Sequence, residues 1–310
     1  MQSFGAAKVI TEKISDAHFK TYFVGFDSNN DGKKYYRLDE LITLLTNVIP
    51  EFAFEYYCDE KITSINMVEK LREAAKSIYK IKEFRDLWEI YQQGGCISDE
   101  SAEKEYLERG EFGELVLHLI LRDFNNTVPL LSKIYFKDSY GLPPHGFDAV
   151  HIYPPEKSLW LGESKLYTNG RKGISALLKD VKDHFKRDYL QDEFAIISKR
   201  IKLYKEIPHK EYWLDLMHRS KKLLDVLHSV TIPLLLTYSS QNFVKYNDEA
   251  LPQFITDYQQ EVNELRDYFD KHNDHPLKTN LNIILMLFPV KCKDDLVRKM
   301  HEKLWMLQNI

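Results

Sequence analysis

The chain has 310 residues, of which 44% are hydrophobic and 13% are aromatic, so it can build a sizeable core and is not a disordered protein. Its formal net charge of −4 means that any surface binding nucleic acid must be a local basic patch. Its three cysteines are far apart and have no CxxC spacing, which argues against a disulfide framework and against a cysteine zinc site.

Two further features bear on location. The sequence has no run of about 18 apolar residues, which predicts that the chain makes no membrane span. The N-terminal stretch MQSFGAAKVITEKISD lacks the apolar region of a secretory signal. We therefore expect a cytoplasmic protein with no membrane partner.

The first third of the chain predicts short strands followed by helices. The stretch KTYFVGFDSNNDGKKYYRLDEL indicates a strand, a polar turn and a strand, and DELITLLTNVIPEFAF indicates a short helix that stops near Pro50. Apolar residues at helical spacing continue over residues 63–91, and a second helix is expected from about Ser101 to Asn125.

The remainder alternates strands and helices. GFDAVHIY and SLWLGESKLY predict two strands, ISALLKDVKDHF an amphipathic helix, and more helix follows to about His228 with an interruption at Pro208. VTIPLLLTYS and LNIILMLFPV are apolar runs typical of buried strands, with helices predicted over residues 252–272 and 293–308. The fold class is α/β (α+β), with a central mixed sheet flanked by helices. We expect an N-terminal α+β region over 1–98, a candidate for partner docking, and a core over 99–310.

One predicted strand carries two charges where apolar residues are expected. Glu163 and Lys165 interrupt the run WLGESKLY, and residues two apart in a strand share a face. A turn centred between Pro155 and Glu156 would place Asp148 of the preceding strand directly opposite Glu163, with Cβ atoms about 5 Å apart. The simplest hairpin therefore brings two carboxylates together.

Two facing carboxylates need a cation between them. Lys165 is one candidate, and the alternative to any chemistry is a structural ion network of Lys165 with one acid. A divalent metal suits two hard oxygen ligands better, with Mg²⁺ the first choice and Mn²⁺ possible. Glu114 lies on the apolar face of its predicted helix, so it needs a partner and would bring a third acid if that helix packs over the hairpin.

This arrangement resembles the PD-(D/E)xK nuclease superfamily, in which a helix carries Glu, a strand carries Asp, and the next strand carries (D/E)xK. Phe147 stands where the superfamily pattern has Pro. Residues 110–190, including HGFDAVHIY and LWLGESKLYTNGRKGISALLKDVKDHF, are similar to the HamA effector family of Hachiman anti-phage defence systems. The resemblance implies a nuclease-like fold and a DNA nuclease partnered by a superfamily 2 helicase, HamB.

The resemblance also implies roles for individual residues. Asp148, Glu163 and the backbone carbonyl of Ser164 would bind Mg²⁺, and Glu114 would bind it directly, through water, or bind a second ion. Lys165 would position the attacking water or stabilise charge developing on the phosphate. We therefore expect a metal-dependent deoxyribonuclease that acts as an antiviral effector. The alternatives are a catalytically idle nuclease fold that binds nucleic acid or protein, and a ribonuclease of the same chemistry.

A basic stretch could guide the substrate to this site. From Lys165 to Lys205 there are eleven Lys or Arg residues against five Asp or Glu residues. The candidates for phosphate contacts are Arg171, Lys172, Lys179, Lys182 and Lys186. An ordinary solvated helix face would show the same pattern.

Overall fold

The strands form one large sheet and one small hairpin. The structure is a computed structural model that describes residues 2–54, 63–79, 89, 110–132 and 146–310. The strands are β1 Ile10–Ser15, β2 Phe19–Val24, β3 Phe26–Ser28, β4 Lys34–Tyr36, β5 Val128–Ser132, β6 Ala149–Tyr153, β7 Ser158–Tyr167, β8 Val230–Ser239 and β9 Asn282–Val290. The sheet has the order β1-β2-β9-β8-β7-β6-β5, and β3 pairs with β4 separately. Its three central pairings, from β2 to β7, are parallel and the outer ones are antiparallel, so it is mixed.

Helices cover both faces of this sheet. They are α1 Leu38–Phe54, α2 Met67–Ile78, α3 Glu111–Asp123, α4 Gly170–His184, α5 Arg187–Leu203, α6 Lys210–Leu216, α7 Leu223–Leu227, α8 Asn242–Lys245, α9 Pro252–His272 and α10 Lys293–Gln308. One apolar core lies between the sheet and α1, α2, α3 and α10. A second core on the opposite face is built mainly from α4, α5, α6 and α9. The predicted mixed sheet flanked by helices is thus confirmed.

The hairpin formed by β6 and β7 has the predicted register. Ala149 pairs with Gly162 at one end and Tyr153 pairs with Ser158 at the other. A 3-10 turn at Pro154–Glu156 joins the two strands, and Lys157 closes it with a φ of 51°. The pairing is centred where the sequence placed it, so Asp148 and Glu163 are the next residues beyond the last pair of the ladder.

One predicted helix boundary is wrong. Helix α1 does not stop near Pro50 but continues through it to Phe54. A proline inside a helix removes one backbone hydrogen bond. Tertiary contacts outweigh that loss, because Phe52 is buried in the core and Glu51 is bound by Arg122 of α3.

The N-terminal strands belong to the same sheet as the rest of the chain. Strand β2 pairs with β9, and β1, which the apolar pattern did not predict, pairs with β2 at the sheet edge. The expected domain boundary after residue 98, and parts of the helices expected over 63–91 and 101–125, lie outside the described residues. Within the part of the chain that the structure describes, no helix is both long enough and apolar enough to cross a membrane.

Candidate active site

Two buried carboxylates meet where the hairpin ladder ends. Asp148 is 2% exposed and Glu163 is 1% exposed, and they lie just beyond the Ala149–Gly162 pair. Asp148 Oδ2 accepts hydrogen bonds from the backbone N–H of Ser164 at 2.8 Å and from its hydroxyl at 2.9 Å. The side chain of Asp148, the residue before β6 begins, therefore continues the pairing with β7 beyond the last backbone pair.

The electrostatics of Glu163 reflect this crowding. Burial raises its pKa to about 7, and the nearby charge of Asp148 acts in the same direction. Opposing them, His184 Nδ1 lies 2.6 Å from Glu163 Oε1. The Glu163 carboxyl is therefore about half protonated near pH 7, because burial and the charge of Asp148 disfavour its ionised form.

Lys165 lies on the same face of β7 as Glu163, and the acid in contact with its ammonium is Asp180. Lys165 Nζ forms an ion pair with Asp180 Oδ2, and its side chain is 25% exposed. Burial lowers the pKa of Lys165, but the charges of Asp180, Asp148 and Glu163 together raise it above its ordinary value. Lys165 is therefore a cation at neutral pH, in contact with Asp180 and in the field of both strand carboxylates.

Helix α4 supplies two site residues whose roles the sequence did not reveal. Neither Asp180 nor His184 is among the catalytic, metal-binding or phosphate-binding residues predicted from the sequence. Asp180 and His184 extend the buried positions Gly173 and Leu177 at three- and four-residue spacing, so that they line one side of the helix. That spacing was the signal that could have identified them, since it places two ionisable groups over a sheet.

Glu114 is brought to the hairpin from the opposite face of the sheet. Its helix α3 packs over β7, where a Cβ built on Gly113 would lie 3.6 Å from Ser164 Oγ. The expected packing of this helix over the hairpin is confirmed, and Glu114 is buried. The neighbouring charges that shift the pKa of Glu163 are those of Asp148, His184 and Asp180, and Glu114 is not among them. Binding of one metal ion by both Glu114 and Glu163 therefore stays a prediction.

The donor set fits a hard divalent cation in its chemistry. Asp148 and Glu163 offer carboxylate oxygens, the ligands that Mg²⁺ prefers. The charge of Asp148 raises the pKa of Glu163, so a cation bound between them would relieve their repulsion. Among the described residues, no three His, Cys, Asp or Glu side chains are already grouped as metal ligands. Two carboxylates are therefore in place, and further ligands would be backbone oxygens, water or a rearranged Glu114.

The five basic candidates are exposed and lie away from the sheet. Arg171, Lys172, Lys179 and Lys182 are on the side of α4 opposite its buried residues, and Lys186 follows the end of that helix. Acidic side chains lie close to four of them: Arg171 faces Glu264, Lys182 faces Asp274, and Lys179 and Lys186 both face Asp183. Such exposed pairs are weak, so phosphate could displace them.

Comparison with known proteins decides the family. The family model described as HamA matches residues 4–304, nearly the whole chain. The chain belongs to the HamA family. It is therefore a protein associated with Hachiman defence, and the match extends well beyond residues 110–190, where the sequence resemblance to HamA was clearest. A search of the curated proteins gives no match.

Proposed function

We propose that this HamA-family chain is a metal-dependent deoxyribonuclease that hydrolyses phosphodiester bonds as the effector of an anti-phage defence complex. The observation that carries the proposal is the buried pair Asp148 and Glu163 at the end of the hairpin, with Lys165 on the same strand face. In a protein with no catalytic or binding role, placing Asp148 next to the buried Glu163 would only destabilise the ionised form of Glu163, whose pKa is raised.

Asp148, Glu163 and the carbonyl of Ser164 would hold Mg²⁺ or Mn²⁺. The N–H and C=O of a strand residue point to the same side, and the N–H of Ser164 points to Asp148. The Ser164 carbonyl would thus point to the same side as Asp148, beyond the start of β6. Glu114 approaches from the other face and would bind through water or hold a second ion. A bound divalent ion would supply Lewis-acid activation of the phosphodiester and of water.

Lys165 would act on the substrate rather than on the ion. Its ammonium contacts Asp180 and lies in the field of Asp148 and Glu163, so it is charged and close to the carboxylate pair. From there it would orient the attacking water or stabilise negative charge on the phosphate in the transition state. Asp180 would hold the Lys165 side chain in place until substrate arrives.

DNA and a helicase are the proposed partners. Family membership places the chain in a defence system, and the HamA resemblance implies a superfamily 2 helicase, HamB-like, beside it. Arg171, Lys172, Lys179, Lys182 and Lys186 would contact DNA phosphates in a manner independent of sequence. Residues 1–98 and helix α10 are the proposed docking region for the helicase.

The test is cleavage of plasmid, linear and single-stranded DNA, and of RNA, with Mg²⁺ and with EDTA, by the chain alone and with its helicase. Glu163→Gln and Lys165→Met should each lower the rate at least about 100-fold. Two exposed residues provide matched controls, Glu156→Gln on the same hairpin and Lys271→Met on α9, and both should cut like the wild type.

Each other outcome identifies an alternative. Cleavage confined to RNA would make the chain a ribonuclease. Equal cleavage by wild type and by both site variants would refute the assigned residues. No cleavage of any substrate with the helicase present would leave a binding module with an idle nuclease fold.

A further inference from the structure

The two site carboxylates lie where the backbone ladder no longer fixes their separation. The last pair of the hairpin is Ala149 with Gly162. Asp148 precedes Ala149 and Glu163 follows Gly162, so both lie one residue beyond this pair. One link between the two segments is direct, because Ser164 donates two hydrogen bonds to Asp148 Oδ2. A second link runs through the end of α4 and the start of α5.

This second link begins at Glu163 and passes through two stacked rings. His184 Nδ1 lies 2.6 Å from Glu163 Oε1. The His184 ring stacks on Tyr189 with a centroid distance of 4.3 Å and an interplanar angle of 9°. The Tyr189 hydroxyl in turn accepts the backbone N–H of Gly146 at 3.3 Å. Tyr189 therefore connects the residue that holds Glu163 to the segment that leads into Asp148.

The segment at Gly146 is constrained in its own right. Gly146 has a φ of 141°, a conformation that favours glycine. Phe147 is fully buried and packs edge-on against His184 at 6.0 Å and against Tyr189 at 5.9 Å. The chain thus reaches Asp148 from a glycine and a phenylalanine that the same two rings fix in place.

These contacts close into a ring. Starting from one carboxylate and returning to it, the path is Glu163, His184, Tyr189, Gly146, Asp148 and Ser164. We propose that Tyr189, acting through His184 and Gly146, is a positioning residue that sets the separation of the Asp148 and Glu163 carboxylates for a divalent cation. The proposal rests on the proposed metal-dependent function and extends it to a residue that contacts neither carboxylate.

The physical reason is the geometric demand of the ion. Mg²⁺ requires near-ideal octahedral coordination, so two ligands must be held at a narrow range of separations. Residues that orient metal ligands change metal affinity by roughly 10- to 100-fold when they are removed. Removal of the Tyr189 ring would remove the stacking contact that holds His184. Removal of the Tyr189 hydroxyl alone would remove the acceptor for the Gly146 N–H and leave the stacking contact in place.

Titration calorimetry of the metal-free, full-length chain with Mn²⁺ and with Mg²⁺ tests this. We expect the Kd of Tyr189→Leu to rise roughly 10-fold or more, and that of Tyr189→Phe to rise by a smaller factor, since the stack remains. Tyr212→Phe is the control, because it also removes one tyrosine hydrogen bond, 3.2 Å long, to Ser229 Oγ. In cleavage assays the Mn²⁺ concentration that gives half the maximal rate should rise in the same order for the two Tyr189 variants and stay at the wild-type value for Tyr212→Phe.

The outcomes separate the two proposals. If the wild type binds the ion and Asp148→Asn does not, but both Tyr189 variants bind like the wild type, the positioning role is refuted and the metal site stands. If the wild type shows no saturable binding, the metal site fails and the positioning role fails with it. If Tyr189→Leu does not fold by circular dichroism, Tyr189→Phe, which loses only a hydroxyl, decides the question.

Discussion

Replacing Glu163 with glutamine should stabilise the metal-free protein while it removes activity. Burial and the charge of Asp148 raise the pKa of Glu163 from its ordinary 4.5 to about 7. Below pH 4.5 the carboxyl is protonated in both folded and unfolded chains. Between pH 4.5 and 7 it ionises first in the unfolded chain, so stability falls as pH rises. Above pH 7 the full penalty of roughly 3 kcal/mol applies.

His184 contributes in the same direction. Burial lowers its pKa, but its contact with Glu163 outweighs this and raises the pKa above its ordinary value. A histidine with a raised pKa stabilises the folded state at low pH and loses that contribution as pH rises. Both groups therefore make the metal-free wild type less stable at pH 8 than at pH 5.

The assay is urea unfolding in EDTA at pH 5 and pH 8. At pH 8 we expect Glu163→Gln to exceed the wild type in unfolding free energy by roughly 3 kcal/mol, and at pH 5 by less than about 1 kcal/mol. The exposed control Glu156→Gln should stay within about 0.5 kcal/mol of wild type at both values. A difference between Glu163→Gln and wild type that does not change with pH would refute the reasoning. Added Mg²⁺ should stabilise the wild type, by about 2.7 kcal/mol at 100 times its Kd, and leave Glu163→Gln unchanged.

Three further changes test the surrounding structure. Arg122→Met should cost roughly 1.5–3 kcal/mol in urea unfolding, because it removes the charged hydrogen bonds to the partly buried Glu51 and leaves His118 as its partner. Burial raises the pKa of Glu51, but its hydrogen bonds with Arg122 outweigh this and help to lower the pKa to about 2. The ion pair therefore stabilises the folded chain fully above pH 4.5, and this contribution is lost as pH falls through 2. Acid unfolding of the Arg122→Met variant should lack that loss of stability. Gly162→Val should lower the unfolding free energy by roughly 1–3 kcal/mol, because its Cβ would lie 2.9 Å from Leu117 Cδ2. Lys182→Ala should reduce the slope of log affinity for duplex DNA against log salt by about 0.9 if that residue contacts a phosphate.

The strands near the site could be predicted because their signals are local. The turn residues at Pro154–Glu156 and the apolar runs on either side set the hairpin register without knowledge of any other element. The runs of β8 and β9 are largely apolar because helices cover both faces of the sheet there. Asp148 and Glu163 could therefore be paired from the sequence alone.

The partners of the charged groups could not be predicted in the same way. Asp180 reaches Lys165 and Tyr189 reaches Gly146 only because α4 and α5 pack on the face of the sheet that carries Glu163 and Lys165. Nothing local indicates such contacts between distant segments. The continuation of α1 through Pro50 has the same origin, since core packing overrode a local stop signal.

The close approach of α3 and α4 to the sheet explains how so many charges can be buried together. A Cβ on Gly162 would clash with Leu117 of α3, and a Cβ on Gly173 of α4 would lie 2.2 Å from Leu236 Cδ1. Glycine at these two positions lets the helices lie closer to the strands than larger residues would allow, and the apolar contacts made there offset the cost of burying charge. The same proximity lets short side chains such as Asp180 reach Lys165. The packing that stabilises this sheet is therefore also what assembles the site upon it.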